Sequence, residues 1–174
     1  MDAAWLKDRV RDIPDYPKPG VVFKDITPLL ADPGAFTLAV DALAAPYNSD
    51  HIDKVIGIEA RGFVFAAPVA YRHAAGFVPV RKPGKLPSRI EHEEYELEYG
   101  TDRLEIHHDG VHPGERVLIV DDVLATGGTA AATIRLAQRL GGEVVGLAFL
   151  IELEFLGGRD RLGSVPIHTV LSYT

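Results

Sequence analysis

The sequence predicts an α/β fold, with a mostly parallel central sheet and helices on both of its faces. Short aliphatic runs, typical of strands buried on both faces, alternate along the chain with segments of helical spacing. The chain has 174 residues, of which 47% are hydrophobic and 25% charged, as is ordinary for one globular domain with a sizeable core. We therefore predict a single domain over residues 1–174.

The first 30 residues are expected to form a small N-terminal cap over the ligand site. A short helix is predicted over residues 3–10, and prolines then favour an irregular extended segment over residues 14–20. A brief apolar run, residues 21–23, comes next. Helical spacing follows over residues 26–30 and, after an Asp-Pro pair, over residues 36–43.

From residue 54 onward, predicted strands and helices alternate. Aliphatic runs predict strands at residues 54–58, 77–80, 104–107, 117–120, 144–150 and 165–171. Helical patterns cover residues 63–71 and the stretch that follows residue 129. Residues 81–95 are polar, weakly periodic and interrupted by prolines, as in connections that are either functional lids or disordered. Ligands of such sheets bind at the carboxyl ends of the strands.

The most specific motif follows the strand predicted over residues 117–120. It consists of two acids and a turn of small and hydroxyl residues: Asp121, Asp122, Ala125, Thr126, Gly127, Gly128 and Thr129. Glycines let the backbone bend and approach a ligand closely, and free N–H groups at the next helix start can hold a phosphate. The carboxylates would repel a bare phosphate, so we expect them to bind sugar hydroxyls or hydrated Mg²⁺. The alternative is an ordinary turn with helix-capping acids.

Two further motifs also follow predicted strands. Glu59 to Gly62 places Arg61 in a tight turn, which suits an oxyanion but also fits a helix start with a surface arginine. Residues 81–87 contain three cations, which fit either a lid that closes on an anion or a solvated loop. Glu98, which precedes Tyr99, could hydrogen-bond a base nitrogen or manage its proton, although a strand edge often carries such residues.

Together these motifs resemble the sugar-phosphate and diphosphate sites of the type I phosphoribosyltransferases, and nearly the whole chain resembles the adenine-specific members of that family. The resemblance implies the family's fold, with a hood over about residues 1–30 and a mobile lid over about 82–101. It also implies Mg²⁺ held mainly through substrate diphosphate and waters, near Asp121 and Asp122. Homodimers are typical of the family.

The resemblance assigns each candidate residue a role. Those implied to bind phosphoribosyl diphosphate are Ala60, Arg61, Arg81, Lys82, Lys85, Tyr99, Asp121, Asp122, Ala125, Thr126, Gly127, Gly128 and Thr129. Those implied to bind adenine are Val22, Phe23, Lys24 and Leu153, with the backbones of Val22 and Lys24 reading the base edge. Those implied to be catalytic are Glu98, Arg61, Asp121 and Asp122. Lys24 and Glu59 stand where some members have Arg and Asp.

The implied reaction joins adenine to the phosphoribosyl group of phosphoribosyl diphosphate, giving AMP and diphosphate, in purine salvage. Two alternatives stay open: transfer to a 6-oxo purine such as xanthine or guanine, and a non-catalytic sensor of phosphoribosyl diphosphate that binds nucleic acid. A net charge of −7 argues against a nucleic-acid or anionic-membrane surface. With no cysteine, no long apolar run and no signal-peptide core, we expect a cytoplasmic protein.

Overall fold

The computed structural model describes residues 3–96 and 100–174, which form both helices and strands. The helices are α1 (Ala3–Lys7), α2 (Thr27–Ala31), α3 (Pro33–Ala44), α4 (Gly62–Arg72) and α5 (Gly128–Arg139). The strands are β1 (Arg11–Pro14), β2 (Val22–Asp25), β3 (Lys54–Ile58), β4 (Gly76–Val80), β5 (Ile90–Glu96), β6 (Thr101–His107), β7 (Arg116–Leu124), β8 (Glu143–Leu153) and β9 (Ile167–Tyr173). Short 3-10 turns cover Ala45–Tyr47, Glu154–Leu156 and Gly158–Arg161.

The centre of the molecule is a five-stranded sheet with the order β4-β3-β7-β8-β9. All of its neighbouring strands pair in parallel, which confirms the predicted fold class. The chain winds outward from β3 in both directions, to β4 on one side and to β7 on the other. In open α/β sheets a ligand site forms where the strand order reverses in this way.

Helices cover both faces of this sheet, because its strands are apolar on both sides. Val55 and Leu118 face a core layer formed with α3 and α4. Their neighbours Ile56 and Ile119 face the opposite layer, formed with α5 and β6. Successive side chains of a strand point to opposite faces, so a continuous aliphatic run fills two layers at once. Strands β1 and β2 pair antiparallel in a separate two-stranded sheet, which is called here the hood.

Several predicted boundaries were wrong. Helix α1 ends at Lys7 rather than residue 10, and β1 was not predicted. The last strand runs over Ile167–Tyr173 rather than 165–171. Strand β7 continues to Leu124 instead of ending at Val120, because β8 still offers its backbone as a partner beyond that point.

Strand β5 lies inside the stretch expected to be an irregular polar connection. It pairs antiparallel with β6 along its whole length, forming a hairpin that packs on α5. The sequence pattern did not predict this strand, because acidic residues are typical of a solvated loop. In the fold, Glu93 is instead paired with Arg135 and Arg139 of α5. Within residues 3–96 and 100–174, no helix is long and apolar enough to cross a membrane.

Candidate active site

The candidate site lies at the carboxyl ends of β3, β4 and β7, where the strand order reverses. Gly57 of β3 pairs with Val120 of β7, so the segments that leave these two strands start side by side. Glu59 follows β3, Arg81 follows β4, and the acid pair occupies the end of β7. The sheet therefore brings together the three motifs that the sequence analysis expected to meet.

The turn over residues 125–129, called here the phosphate turn, joins β7 to α5. Gly127 has φ of +80°, which side chains rarely adopt, and α5 begins at Gly128. The first N–H groups of a helix have no acceptor within it and attract anions. The turn, Asp121 and Phe149 line a small cavity of about 80 Å³. This geometry suits a phosphate group.

The phosphate turn is held by a backbone contact that the sequence analysis missed. A Cβ at Gly127 would overlap the carbonyl oxygen of Gly158, and a Cβ at Gly158 would overlap that of Ala125. The segment that carries Gly158 is fixed by Arg159, which donates two 2.6 Å hydrogen bonds to the buried carboxylate of Glu152. Contacts between segments distant in sequence give no local pattern.

The acid pair faces two ways, because consecutive residues of β7 point to opposite faces. Asp122 is 6% exposed, and Arg61 Nε lies 2.7 Å from its Oδ2. Asp121 Oδ1 accepts a 2.9 Å hydrogen bond from the Asp122 amide and lies against Gly62, where a Cβ would be 2.5 Å away. Gly62 thus lets α4 begin directly above the Asp121 carboxylate.

The electrostatics of this pair favour the arrival of a positive or hydrogen-bonding ligand. Burial and the adjacent Asp122 carboxylate raise the pKa of Asp121 well above its usual value. Burial also raises the pKa of Asp122, although Arg61 opposes that change. Two desolvated carboxylates side by side are costly, so sugar hydroxyls or a hydrated cation would stabilise them.

The three predicted lid cations are gathered by internal acids. Glu59 accepts hydrogen bonds from Arg81 Nε at 3.2 Å, from the Lys82 amide at 2.9 Å and from Lys85 Nζ. Burial alone would raise the pKa of Glu59, but the bonds from Lys85 and the Lys82 amide outweigh it and lower that pKa. The buried Glu105 accepts a 3.0 Å bond from the Gly84 amide and so ties the same loop to β6.

Lys82 points to the other side of this loop, towards the hairpin and the phosphate turn. Its ammonium group pairs with Asp102 and donates a 3.0 Å hydrogen bond to the Tyr95 hydroxyl. That hydroxyl lies 3.5 Å from Thr129 Oγ1. The structure therefore connects Lys82 to the phosphate turn through Tyr95, a residue that the sequence analysis did not select.

The hood reaches the site through Phe23. The Arg61 guanidinium lies 5.0 Å from the centre of the Phe23 ring, so Arg61 contacts both the hood and Asp122. Lys24 directs its side chain away, to Asp12 at 2.6 Å and to the Tyr173 ring at 4.1 Å. Strand β2 pairs only with β1 among the described residues, which leaves the backbone of its other edge, including Val22, without a strand partner.

Leu153 ends β8 beside the hood. It pairs with Tyr173 of β9, over whose ring the Lys24 ammonium lies. Its side chain is partly exposed, so a flat apolar ligand between Leu153 and β2 would cover it. Glu98 and Tyr99 lie outside the described residues, and their predicted roles stay predictions.

No group of three or more His, Cys, Asp or Glu side chains within the described ranges forms a metal-binding cluster. Asp121 lines the cavity of the phosphate turn and Asp122 is its neighbour on β7, and carboxylate oxygens suit Mg²⁺. Two carboxylates cannot fill the coordination sphere of Mg²⁺ by themselves, so the remaining ligands would be waters and oxygens of the bound ligand.

The sequence and the fold are similar to those of known proteins. The family model for the phosphoribosyl transferase domain matches residues 29–161. A protein of Myxococcus xanthus named adenine phosphoribosyltransferase is 59% identical over 170 residues, covering 98% of this chain and 92% of its own length.

Two solved structures have the same fold over almost the whole chain. The adenine phosphoribosyltransferase of Rhodothermus marinus has a TM-score of 0.95 and 57% identity, covering 98% of each chain. The enzyme of Saccharomyces cerevisiae, solved with an imino-altritol bisphosphate and adenine, has a TM-score of 0.92 and 40% identity. That match covers 97% of this chain and 98% of the other.

Proposed function

The chain belongs to the phosphoribosyltransferase family, and we propose that it is an adenine-specific member acting in purine salvage. It transfers the 5-phosphoribosyl group of phosphoribosyl diphosphate to adenine, giving AMP and diphosphate. The observation that carries this proposal is the junction at the strand-order reversal, where Arg61, in the turn after β3, lies 2.7 Å from Asp122 beside the phosphate turn. A site that places an arginine and the phosphate turn on either side of carboxylates suits a sugar that carries anionic groups at both ends.

The chemistry follows from the charges around this junction. Purine N9 attacks the anomeric carbon with inversion, the bond from that carbon to the diphosphate oxygen breaks, and the N9 proton ends on the released diphosphate. Because the bond to diphosphate breaks early, positive charge develops on the ribose while negative charge develops on the leaving group. Arg61 and the lid cations stabilise the diphosphate, and the Asp121 and Asp122 carboxylates hold the ribose hydroxyls.

The base is held by the hood and the end of β8. The unpaired edge of β2 offers backbone groups at Val22 and Lys24 to the adenine edge, and Leu153 packs against the ring. Fixing the base in line with the anomeric carbon removes much of the entropic barrier to their reaction. Excluding water also matters, because the activated ribose would otherwise be hydrolysed.

A panel of bases tests the reaction. Purified protein is incubated with phosphoribosyl diphosphate, Mg²⁺ and one of adenine, hypoxanthine, guanine or xanthine, and nucleotide formation is followed. A protein purified in parallel with Asp121→Asn and Asp122→Asn controls for contaminating enzymes. We expect AMP from adenine alone. Turnover of a 6-oxo purine would overturn the base assignment, and donor binding with no nucleotide would favour the sensor.

Mg²⁺ is proposed as the cofactor, held mainly through the diphosphate and waters. Asp121 and Asp122 would contact its hydration shell, and the ion would neutralise charge on the diphosphate. Calorimetric binding of phosphoribosyl diphosphate should weaken when the ion is chelated and recover when Mg²⁺ is added back. Unchanged binding and turnover in chelator would contradict this role.

A homodimer is proposed through the outer surface of α4 and the edge strand β4. Val64 and Phe77 are each 38% exposed there and Tyr71 is 86% exposed, an apolar area that a second copy would cover. Sedimentation should give twice the chain mass, and Tyr71→Glu should shift it towards the monomer while Gln138→Glu on α5 should not. A monomeric wild-type protein would refute the proposal. The cytoplasmic location stays a prediction.

A further inference from the structure

Tyr95 lies at the centre of a closed hydrogen-bonded cluster. It sits on β5, directly across the hairpin from Asp102 of β6, and is 7% exposed. Its hydroxyl donates a 3.0 Å hydrogen bond to Asp102 Oδ2 and accepts one of 3.0 Å from Lys82 Nζ. Lys82 also pairs directly with Asp102. The hydroxyl, carboxylate and ammonium groups therefore hold one another in place.

The same tyrosine packs against the phosphate turn. Its ring is 3.3 Å from the point that a Cβ of Gly128 would occupy, and its hydroxyl is 3.5 Å from Thr129 Oγ1. Gly128 borders both the 80 Å³ cavity of the phosphate turn and a second cavity of about 580 Å³ whose wall includes Tyr95. Tyr95 thus connects Lys82, the β5-β6 hairpin and the first turn of α5.

The cluster fixes a side chain that would otherwise be mobile. A lysine side chain loses rotamer entropy when it is ordered, so a lysine ordered before the ligand arrives spares that cost during binding. Burial alone would lower the pKa of Lys82, but the hydrogen bonds to Asp102 and Tyr95 outweigh it and raise that pKa. Lys82 is therefore held as a cation beside the phosphate turn.

We propose that Tyr95 is a positioning residue, which holds Lys82 beside the phosphate turn so that the cation meets phosphoribosyl diphosphate already oriented. This inference rests on the proposed function, because it takes that donor as the ligand. It assigns Tyr95 no contact with the reacting atoms. Tyr95 acts through Lys82.

The test removes the hydroxyl and keeps the ring. Tyr95→Phe should raise the calorimetric Kd for phosphoribosyl diphosphate with Mg²⁺ about tenfold, since hydrogen bonds to charged groups are the stronger class. Tyr47→Phe is the matched control, because the hydroxyl of that buried tyrosine donates a 3.0 Å bond to the Leu147 carbonyl, away from the site. The control should lower the melting temperature and leave the donor Kd within about twofold.

A double-mutant cycle with Lys82→Met separates positioning from general destabilisation. If Tyr95 acts through Lys82, Tyr95→Phe should change the Kd less than about twofold once Lys82 is replaced. A Kd for Tyr95→Phe equal to that of wild type would overturn the inference. So would a double variant whose fold-change in Kd is the product of the two single fold-changes. Because the measurement is donor binding, it decides the role of Tyr95 even if the base panel refutes the proposed base.

Discussion

In the proposed function the phosphate turn and the hood bind opposite ends of the substrates, and the two regions are built differently. The turn lies between a nine-residue strand and a twelve-residue helix and is pinned by contact between the backbones of Gly127 and Gly158. The hood is a pair of four-residue strands whose Val22 is 46% exposed. The sugar-phosphate end is thus fixed by core packing, whereas the base end depends on a small surface sheet and its backbone.

The largest effect is expected where this packing is tightest. Gly127→Ala would place a Cβ on the Gly158 carbonyl oxygen and force an alanine to φ of +80°. The turn must then move, and a displacement of about 1 Å can cost 100-fold in rate. We expect turnover to fall by about that factor.

Gly114→Ala is the matched control for that change. Gly114 has φ of +84° and open space at its Cβ position, so its substitution has the backbone cost without the overlap. Steady-state assays of both variants, with melting curves, separate the two effects. Equal turnover in both variants would show that contact with Gly158 does not fix the phosphate turn.

An effect of similar size concerns the acid pair that borders the turn. With Asp121→Asn and Asp122→Asn together, turnover should fall by about 100-fold, because carboxylates that stabilise developing charge are lost. Circular dichroism should be unchanged, since asparagine has the same size. Near-normal turnover in this folded double variant would rule out the role given to the pair.

A smaller effect is expected on stability: replacing Asp121 alone should stabilise the fold, although it lowers activity. The pKa of Asp121 is raised in the folded protein, so the folded state binds more protons than the unfolded state and loses stability as pH rises through that pKa. Asp121→Asn should therefore raise the melting temperature at pH 7, by about 2–4 °C for each kcal/mol relieved. The gain in melting temperature should shrink as the pH falls towards the pKa that Asp121 has in the unfolded chain.

Asp32→Asn is the control, because removing this carboxylate should change stability in the opposite direction. Hydrogen bonds from the Ala35 amide and Arg9 lower the pKa of Asp32, so its charge stabilises the fold above its unfolded pKa. This variant should gain no stability at pH 7. Melting curves between pH 4 and pH 8 compare the three proteins, and an Asp121→Asn variant less stable than wild type at pH 7 would contradict the argument.

The smallest effect is expected in the hood. Lys24→Met removes a side chain that contacts Asp12 and Tyr173 but leaves the β2 backbone unchanged. Because surface ion pairs contribute about 0–1 kcal/mol, the adenine KM should change less than about threefold. A tenfold increase, measured at saturating donor, would mean that the base is read by the side chain and not by the backbone.

Local patterns were enough to predict the sheet and the phosphate turn. The aliphatic run at 54–58 corresponds to β3 without error, and Asp121, Asp122 and the turn lie together where the alternation of strands and helices placed them. Each of these features depends on neighbours in sequence: strand period, glycine in a bend, and the start of a helix.

Features that depend on distant partners were not predictable. Glu93 of β5 is accommodated because it pairs with Arg135 and Arg139 of α5, and the contact of Gly158 with Gly127 joins segments about 30 residues apart. Tyr95 and Asp102 meet Lys82 through the hairpin, across 13 and 20 residues of sequence. Such residues carry no periodicity or spacing of their own, so only the fold reveals them.

The carboxylate of Glu59 has a consequence for how the protein responds to ionic strength. It already binds Arg81, the Lys82 amide and Lys85, so a diphosphate that takes over these donors exchanges one anion for another. Dissolved salt screens the contacts of both anions, and much of its effect cancels in the exchange. The affinity for phosphoribosyl diphosphate should therefore fall with added salt less steeply than a count of unpaired cations would suggest.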